Sequence, residues 1–267
     1  MSDINIYHSK TQSDKIFFMA KYYIGTSGWA YKHWKDIFYP NEMPQSHWLE
    51  FYSKYFNTVE VNSSFYRQPT QKTINKWVDS VPTNFQFSVK LNRYVTHLKK
   101  LSLEKDDLLG LINPFYDFGI KMGPVLIQLP PFYKANSEVL VRFLKSLPSH
   151  HKYAFEPRHE SWFSPQIVRI LRDHNIALVI ADSSKFPILE TQTADFGYIR
   201  FHGLNLYESM YNEDDLEKWA VKIKKWSKKW QEVYIYFNND AQGHAVKNAL
   251  DLKQILGVSY GKNSSSS

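Results

Sequence analysis

The chain has 267 residues, 43% of them hydrophobic, and 33 Lys+Arg against 26 Asp+Glu give a formal charge of +7. This is the composition of a soluble globular protein with enough apolar mass for a large core, and it excludes collagen-like, disulfide-stapled and wholly disordered classes. The sequence has no cysteine, which removes thiolate nucleophiles and Cys-ligated metal centres and fits a cytoplasmic location.

Residues 1–21 are polar and aperiodic and are expected to form a flexible arm. Within them, 16–20 is too short for the apolar region of a signal peptide, about 7–15 residues. No run reaches the ~18 apolar residues of a membrane span, so no membrane partner is expected. The body of the protein is expected over 22–258 as a single domain, with a Ser-rich disordered tail over 259–267.

Eight β-like runs follow one another at 22–29, 58–66, 85–92, 124–130, 152–159, 177–182, 196–203 and 232–240. Helical patterns at 46–56, 70–80, 137–147, 165–174, 214–230 and 243–256 fall between or after them. Ser164 followed by Pro165 marks one helix start by its N-cap and first-turn proline. Strand and helix alternating at about 30 residues per unit predict βαβ units and a parallel sheet. Eight units predict a single TIM-type (β/α)8 barrel, with an open doubly wound sheet as the alternative. The stretch 183–195 between the sixth and seventh strands is short and contains proline, so its helix is expected to be short or missing. No Gly-x-Gly-x-x-Gly follows a strand, which argues against dinucleotide binding.

Successive side chains on a strand face opposite sides. If the apolar set meets the helices, the other set fills the barrel. Val59 and Val61 then leave Glu60 and Asn62 inward, and Phe87, Val89 and Leu91 leave Ser88, Lys90 and Asn92. Ile127 and Leu129 leave Gln128, while Tyr153 and Phe155 leave Glu156 and Arg158. Val179 and Ala181 leave Asp182. Ile199 and Phe201 leave Arg200 and His202, and Ile235 and Phe237 leave Tyr236, Asn238 and Asp240. This polar set gathers toward the C-terminal strand ends, where active sites of this fold sit.

Glu156-Pro157-Arg158-His159-Glu160-Ser161-Trp162 is the densest constellation. Pro157 keeps Glu156 extended, which puts Glu156 and Arg158 on one side. Glu156 is the candidate general acid or base. Arg200 and His202, two apart before Gly203, suit an anionic group or a developing oxyanion. Trp29, in the Gly-containing turn after the first strand, can stack on a ligand, and His97 can line the mouth. The stripe Trp219, Ile223, Trp226 and Trp230 between lysines reads as a barrel helix docked on the sheet, with its lysines solvated.

The segments Gly25-Thr26-Ser27-Gly28-Trp29, Thr58-Val59-Glu60-Val61-Asn62-Ser63-Ser64-Phe65-Tyr66 and Gln128-Leu129-Pro130-Pro131 follow one another in the chain with the Glu156–Trp162 run, Tyr198–Gly203 and Tyr236–Asp240. Together they resemble the YecE-like proteins, domain of unknown function 72 (DUF72). The resemblance spans about Tyr22 to Leu256 and implies a TIM-type barrel. It supplies no reaction or cofactor. Its motif residues fall on the inward positions already picked out.

Three functions compete. In the first, an enzyme acts by acid–base chemistry on a small polar, anionic or sugar-like substrate. Glu156, His202 and Arg200 are its catalytic candidates. Trp29, Glu60, Asn62, Lys90, His97, Gln128, Arg158, Asp182, Asn238 and Asp240 line its binding site. In the second, Glu60, Glu156, Asp182 and His202 bind a divalent metal in a barrel resembling xylose isomerases or endonuclease IV, although the neighbouring arginines oppose a cation. In the third, a non-catalytic protein binds a ligand, or nucleic acid through its basic exterior.

Overall fold

The structure, a computed structural model, describes residues 20–203 and 209–258. Of the expected arm over 1–21, residues 1–19 lie outside the described residues, as does the tail over 259–267, while Lys21 already opens the first strand. The apolar runs form nine parallel strands among those described: β1 (Lys21–Thr26), β2 (Thr58–Val61), β3 (Gln86–Lys90), β4 (Met122–Gln128), β5 (Tyr153–Glu156), β6 (Ala177–Leu178), β7 (Ile180–Asp182), β8 (Phe196–Phe201) and β9 (Glu232–Phe237). They make two parallel sheets, ordered β1-β9-β8-β7 and β2-β3-β4-β5-β6. The protein therefore has an α/β fold.

Two seams join the sheets. At the first, the expected sixth strand is broken at Val179, whose N–H donates to the Phe155 carbonyl at 2.9 Å. The chain thus leaves β6, paired with β5, and enters β7, paired with β8, across one residue. At the second seam, β1 and β2 are laced by side chains. Asn57 accepts the Ile24 N–H through Oδ1 at 3.1 Å and donates from Nδ2 to the Tyr22 carbonyl at 2.7 Å. The Tyr52 hydroxyl accepts the Thr26 N–H at 2.9 Å and donates to the Thr58 carbonyl at 3.1 Å. Every backbone group so bridged is one that burial would otherwise leave unpaired. The approach is close enough that a Cβ on Gly25 would lie 2.2 Å from the Thr58 carbonyl oxygen and 2.7 Å from the Tyr52 hydroxyl.

Helices α1 (Trp48–Tyr52), α2 (Gln71–Asp79), α3 (Lys105–Ile112), α4 (Ser137–Ser146), α5 (Pro165–Asp173), α6 (Glu213–Trp226) and α7 (His244–Leu256) connect and cover the strands. Four start on side-chain caps: Thr70, Asn136, Ser164 and Asn212 each accept a backbone N–H three residues on. Each such cap stabilises its helix by about 1 kcal/mol. The described stretch 183–195 contains no helix, as expected. Other boundaries shorten for local reasons. The second strand stops at Val61 where Ser64 Oγ, 2.9 and 2.7 Å from the carbonyls of Val61 and Lys90, shares its one proton between them and 63–65 rolls into a 3-10 turn. On α6, Trp219 and Ile223 are buried, while Lys218, Lys224 and Lys225 are exposed.

Alternation along the strands builds two apolar layers. The outer one packs Val59, Val61, Phe87, Val89, Ile127, Phe155, Ile199, Phe201 and Ile235 against helix residues such as Ile74, Phe143, Leu171, Ile223 and Leu252. The inner one holds Tyr23, Leu126, Ala154, Ala177, Val179, Ala181, Phe196, Tyr198, Tyr234 and Tyr236. The sequence reading of inward and outward faces thus agrees on most strands. It fails for 177–182, where Val179 and Ala181 belong to the inner layer and Leu178 and Ile180 to the outer one. Four consecutive apolar residues carry no alternation to read, and Asp182 is consequently misassigned to the interior.

Candidate functional site

The tyrosine-rich inner layer supports a charged layer above it. The Tyr236 hydroxyl bonds Thr58 Oγ1 and Ser88 Oγ, both at 2.7 Å, tying β9 to β2 and β3. The Tyr198 hydroxyl donates to Glu60 Oε2 at 2.7 Å. Glu60 Oε1 accepts from Ser27 Oγ and from Arg200 Nη2, both at 2.8 Å. Arg200 Nη1 donates to Glu156 Oε2 at 2.7 Å. Glu156 Oε1 accepts from Gln128 Nε2 at 2.9 Å and from Arg158 Nε at 3.1 Å. Side chains from β2, β4, β5 and β8 and from the turn after β1 therefore meet around one guanidinium. Arg200 is 1% exposed, Glu60 0% and Glu156 1%.

Burial of this kind is tolerable only because each charge is paired and hydrogen-bonded. Burial alone would push the Glu156 carboxyl up, but the Arg200 and Arg158 guanidiniums hold it well below the ordinary glutamate value. Glu156 is thus an ionised anchor; of the acid-or-base role expected from sequence, the acid half does not fit a carboxyl held ionised by two guanidiniums. Burial opposes the charge on Arg200 too, and the two carboxylates outweigh it and keep the guanidinium protonated. With both amino groups committed to glutamates, Arg200 is not available as the anion clamp the sequence suggested.

The open side of the layer is different. Lys90 ends β3, half-buried, with Nζ 4.2 Å from the centroid of the Phe65 ring. Among the described residues its ammonium has no hydrogen bond or ion pair, because both nearby carboxylates are taken by Arg200 and Arg158. Burial, and then the positive charge of Arg200, push the Lys90 amine down to about 7, against the opposing pull of Glu156 and Glu60. The Phe65 face favours the ammonium by only about 0.5–2 kcal/mol. His97, on a single π-helical turn spanning Tyr94–Leu98 directly after β3, packs edge-on to Phe65 with centroids 4.9 Å apart. Burial, followed by the charges of Lys90, Arg158 and Arg93, pushes its imidazole down to about 4, so it is neutral. Arg158 is less buried than Arg200, with 14% of its side chain exposed, and its guanidinium lies 4.3 Å from the Phe186 ring centroid.

His202 follows β8. Its Nδ1 is 3.2 Å from Asn238 Nδ2 and its Nε2 is 3.8 Å from Glu156 Oε1. Burial lowers its basicity, with Glu156 opposing and Arg200 reinforcing, and the ring is held neutral near pH 7. Glu60, Lys90, Gln128, Glu156, Arg158, Arg200, His202 and Asn238 therefore come together as the sequence indicated, with His97 at their edge.

Four expected residues lie elsewhere. Asp182 accepts the Tyr211 hydroxyl at 2.8 Å, and Tyr211 packs in the outer layer. Asp240 accepts Trp34 Nε1 at 2.7 Å and pairs with His33 at 3.0 Å, so it fastens the loop after β1. Trp29 and Asn62 line a side cleft of about 660 Å³ with Trp77, Lys72 and Lys76, and Trp29 meets Trp77 edge-on. The cleft begins at Gly28, one residue from Ser27. Sequence reasoning missed Ser27, Tyr198, Phe65 and Phe186. Tyr198 stands two residues before Arg200 on the same face, so its position was readable. Its aromatic ring disguised a hydroxyl that serves Glu60.

Comparison with known proteins gives a consistent picture. Residues 23–266 match the family model described as protein of unknown function DUF72. The UPF0759 protein YunF of Bacillus subtilis (strain 168) is 26% identical over 272 residues, covering 89% of this chain and 95% of YunF. The crystal structure of a DUF72 family protein (TM1631) from Thermotoga maritima MSB8 superposes with a TM-score of 0.80 at 30% identity, covering 89% of this chain and 99% of that one. A D-psicose 3-epimerase from Clostridium cellulolyticum H10, solved with D-tagatose, superposes with a TM-score of 0.50 at 9% identity, over 89% of this chain and 97% of that one. This last likeness concerns the fold alone. No helix among the described residues is long and apolar enough to cross a membrane.

Proposed function

We propose, from the premise that this chain belongs to the DUF72 family, that its two sheets close into one TIM-type (β/α)8 barrel whose strand-end cluster is an enzyme active site. The substrate is a small, polar, anionic or sugar-like molecule. Arg158 binds its negative group, and neutral His202 is the proton-transfer base. Glu60, Glu156 and Arg200 form the fixed ionic floor that sets the field of the site. The absence of cysteine agrees with a cytoplasmic setting.

The observation that carries this reading is an imbalance. The carboxylates at the centre of the cluster are fully engaged, shared among arginine, tyrosine, serine and glutamine donors. Its rim carries Lys90, which has no counter-ion among the described residues, and a partly exposed Arg158. A purely structural layer has no use for a half-buried uncompensated ammonium, which costs free energy that an anionic ligand would offset. Interiors that serve stability alone are filled with branched apolar side chains.

The divalent-metal reading fits these residues poorly. Of its four candidate ligands, Glu60 and Glu156 are bonded to Arg200, and Asp182 is bonded to Tyr211. A cation would have to displace a guanidinium from both glutamates. Nothing in the site favours nucleic acid over a small ligand.

The test is a thermal-shift screen of sugar acids, sugar phosphates and 2-oxo acids, followed by NMR detection of turnover for any ligand found. The expected result is stabilisation of the wild type that Arg158→Ala abolishes, and turnover that His202→Gln removes while binding persists. A ligand whose binding is indifferent to Arg158→Ala would overturn the assignment.

A further inference from the structure

We infer that Lys90 is a covalent catalytic group, an amine that forms an imine with a small carbonyl compound bearing a carboxylate or phosphate. The inference rests on the reading of the strand ends as an active site and goes further, naming the substrate's reactive group and the atom that attacks it.

Three observations place Lys90 in this role. It is the last residue of β3, at the strand ends, close enough to Arg200, Glu156, Glu60 and Arg158 to feel their charges. Glu60 and Glu156, the carboxylates that could have claimed it, are each bound by two or more other donors. Its Nζ rests over the Phe65 face, which limits water on one side. A lysine desolvated beside other cations is the arrangement that activates an amine nucleophile. With its basicity lowered to about 7, about half of the Lys90 amine is neutral at pH 7. That is roughly 10³ times the neutral fraction of an ordinary lysine.

The step balances without an oxidant or reductant. The Lys90 nitrogen lone pair attacks the carbonyl carbon, and the C=O pair moves to oxygen, which takes a proton. The carbinolamine then loses its oxygen as water, so the carbonyl compound and the amine yield an imine and one water. Arg158 holds the substrate's anionic group. Protonated, the imine draws electrons from the neighbouring carbon, whose proton neutral His202 accepts.

The experiment incubates the whole protein at pH 7 with sodium cyanoborohydride and one of three probes: glyoxylate, glycolaldehyde phosphate or neutral glycolaldehyde. Reduced adducts are located by peptide mass mapping. The expected result is adduct on Lys90 at least tenfold faster than on the exposed Lys228, with a pH midpoint near 7. The better of the two anionic probes shows which group Arg158 accepts, and Arg158→Ala removes the preference for both over glycolaldehyde. Lys90→Arg abolishes the fast adduct and retains the circular dichroism spectrum.

Lys90 labelled no faster than Lys228 overturns the imine. If inorganic phosphate or glyoxylate then still stabilises the wild type and not Arg158→Ala, the active-site reading stands without it. If neither labelling nor stabilisation is seen, both readings fall.

Discussion

Arg200→Met tests the ionic floor. The substitution removes the one guanidinium that bonds Glu60 Oε1 at 2.8 Å and Glu156 Oε2 at 2.7 Å. Both carboxylates stay buried, Glu60 with Ser27 and Tyr198, Glu156 with Gln128 and Arg158. A unit charge pair about 4 Å apart is worth about 4 kcal/mol at an effective dielectric constant near 20. Removing one partner of a buried pair costs about 3–5 kcal/mol. The expected loss at pH 7 is therefore about 3–5 kcal/mol, or roughly 6–20 °C in Tm for a protein of this size.

The pH dependence adds an independent check. In the wild type the folded pKa of Glu156 is depressed. The stability it contributes is therefore present above its unfolded value, 4.5, and is lost as pH falls below that value. In Arg200→Met the same carboxyl is raised relative to the wild type, so protonation relieves it earlier. The gap between the two proteins is expected to narrow from pH 7 toward pH 4.5. Neutralising the partners as well, in Glu60→Gln/Glu156→Gln/Arg200→Met, should recover stability to within about 1–2 kcal/mol of wild type, because uncompensated charge rather than lost packing dominates. Urea denaturation followed by circular dichroism measures all three. A loss below about 1 kcal/mol at pH 7, or a gap that widens on acidification, would refute the reasoning.

Gly25→Ala drives a methyl group into the Thr58 carbonyl and the Tyr52 hydroxyl at the β1–β2 seam. Overpacking costs about 1–3 kcal/mol, and the urea midpoint should fall accordingly, whereas Gly110→Ala, with nothing within 4 Å of its Cβ, should not lower it. Burial pushes the Asp240 carboxyl up to about 6 from 3.8, against its bonds to Trp34 and His33. Its contribution to stability is full below 3.8 and declines as pH rises through about 6, so Asp240→Asn should flatten that slope in a pH series of thermal melts. Mn2+, Zn2+ or Mg2+ at millimolar concentration should leave the wild-type Tm unchanged, since Arg200 occupies both glutamates. A saturable metal-dependent rise lost in Glu156→Gln would contradict that.

The strand ends were legible wherever a strand alternates. Val59 and Val61 point to Glu60, and Ile199 and Phe201 point to Arg200, because one apolar face implies its opposite. The unbroken apolar run Leu178-Val179-Ile180-Ala181 gives no such signal, and there both the break at Val179 and the facing of Asp182 escaped. Spacing also says nothing of which charges neutralise which. Arg158, Arg200 and Lys90 look alike in sequence, and only their distances to the carboxylates separate an arginine bonded to two glutamates from an amine with no hydrogen bond or ion pair among the described residues. Asp240 was misplaced for a similar reason: its loop position allowed either face, and Trp34, far away in sequence, decided it.

Small ligands are expected to bind at the strand ends, where Lys90, Arg158 and His202 stand. A crystal structure of the protein soaked with glyoxylate or a sugar phosphate tests this directly. The predicted result is ligand density with its anionic group on Arg158 and its carbon skeleton facing Lys90. Density in the Trp29–Trp77 cleft, with none at the strand ends, would contradict it.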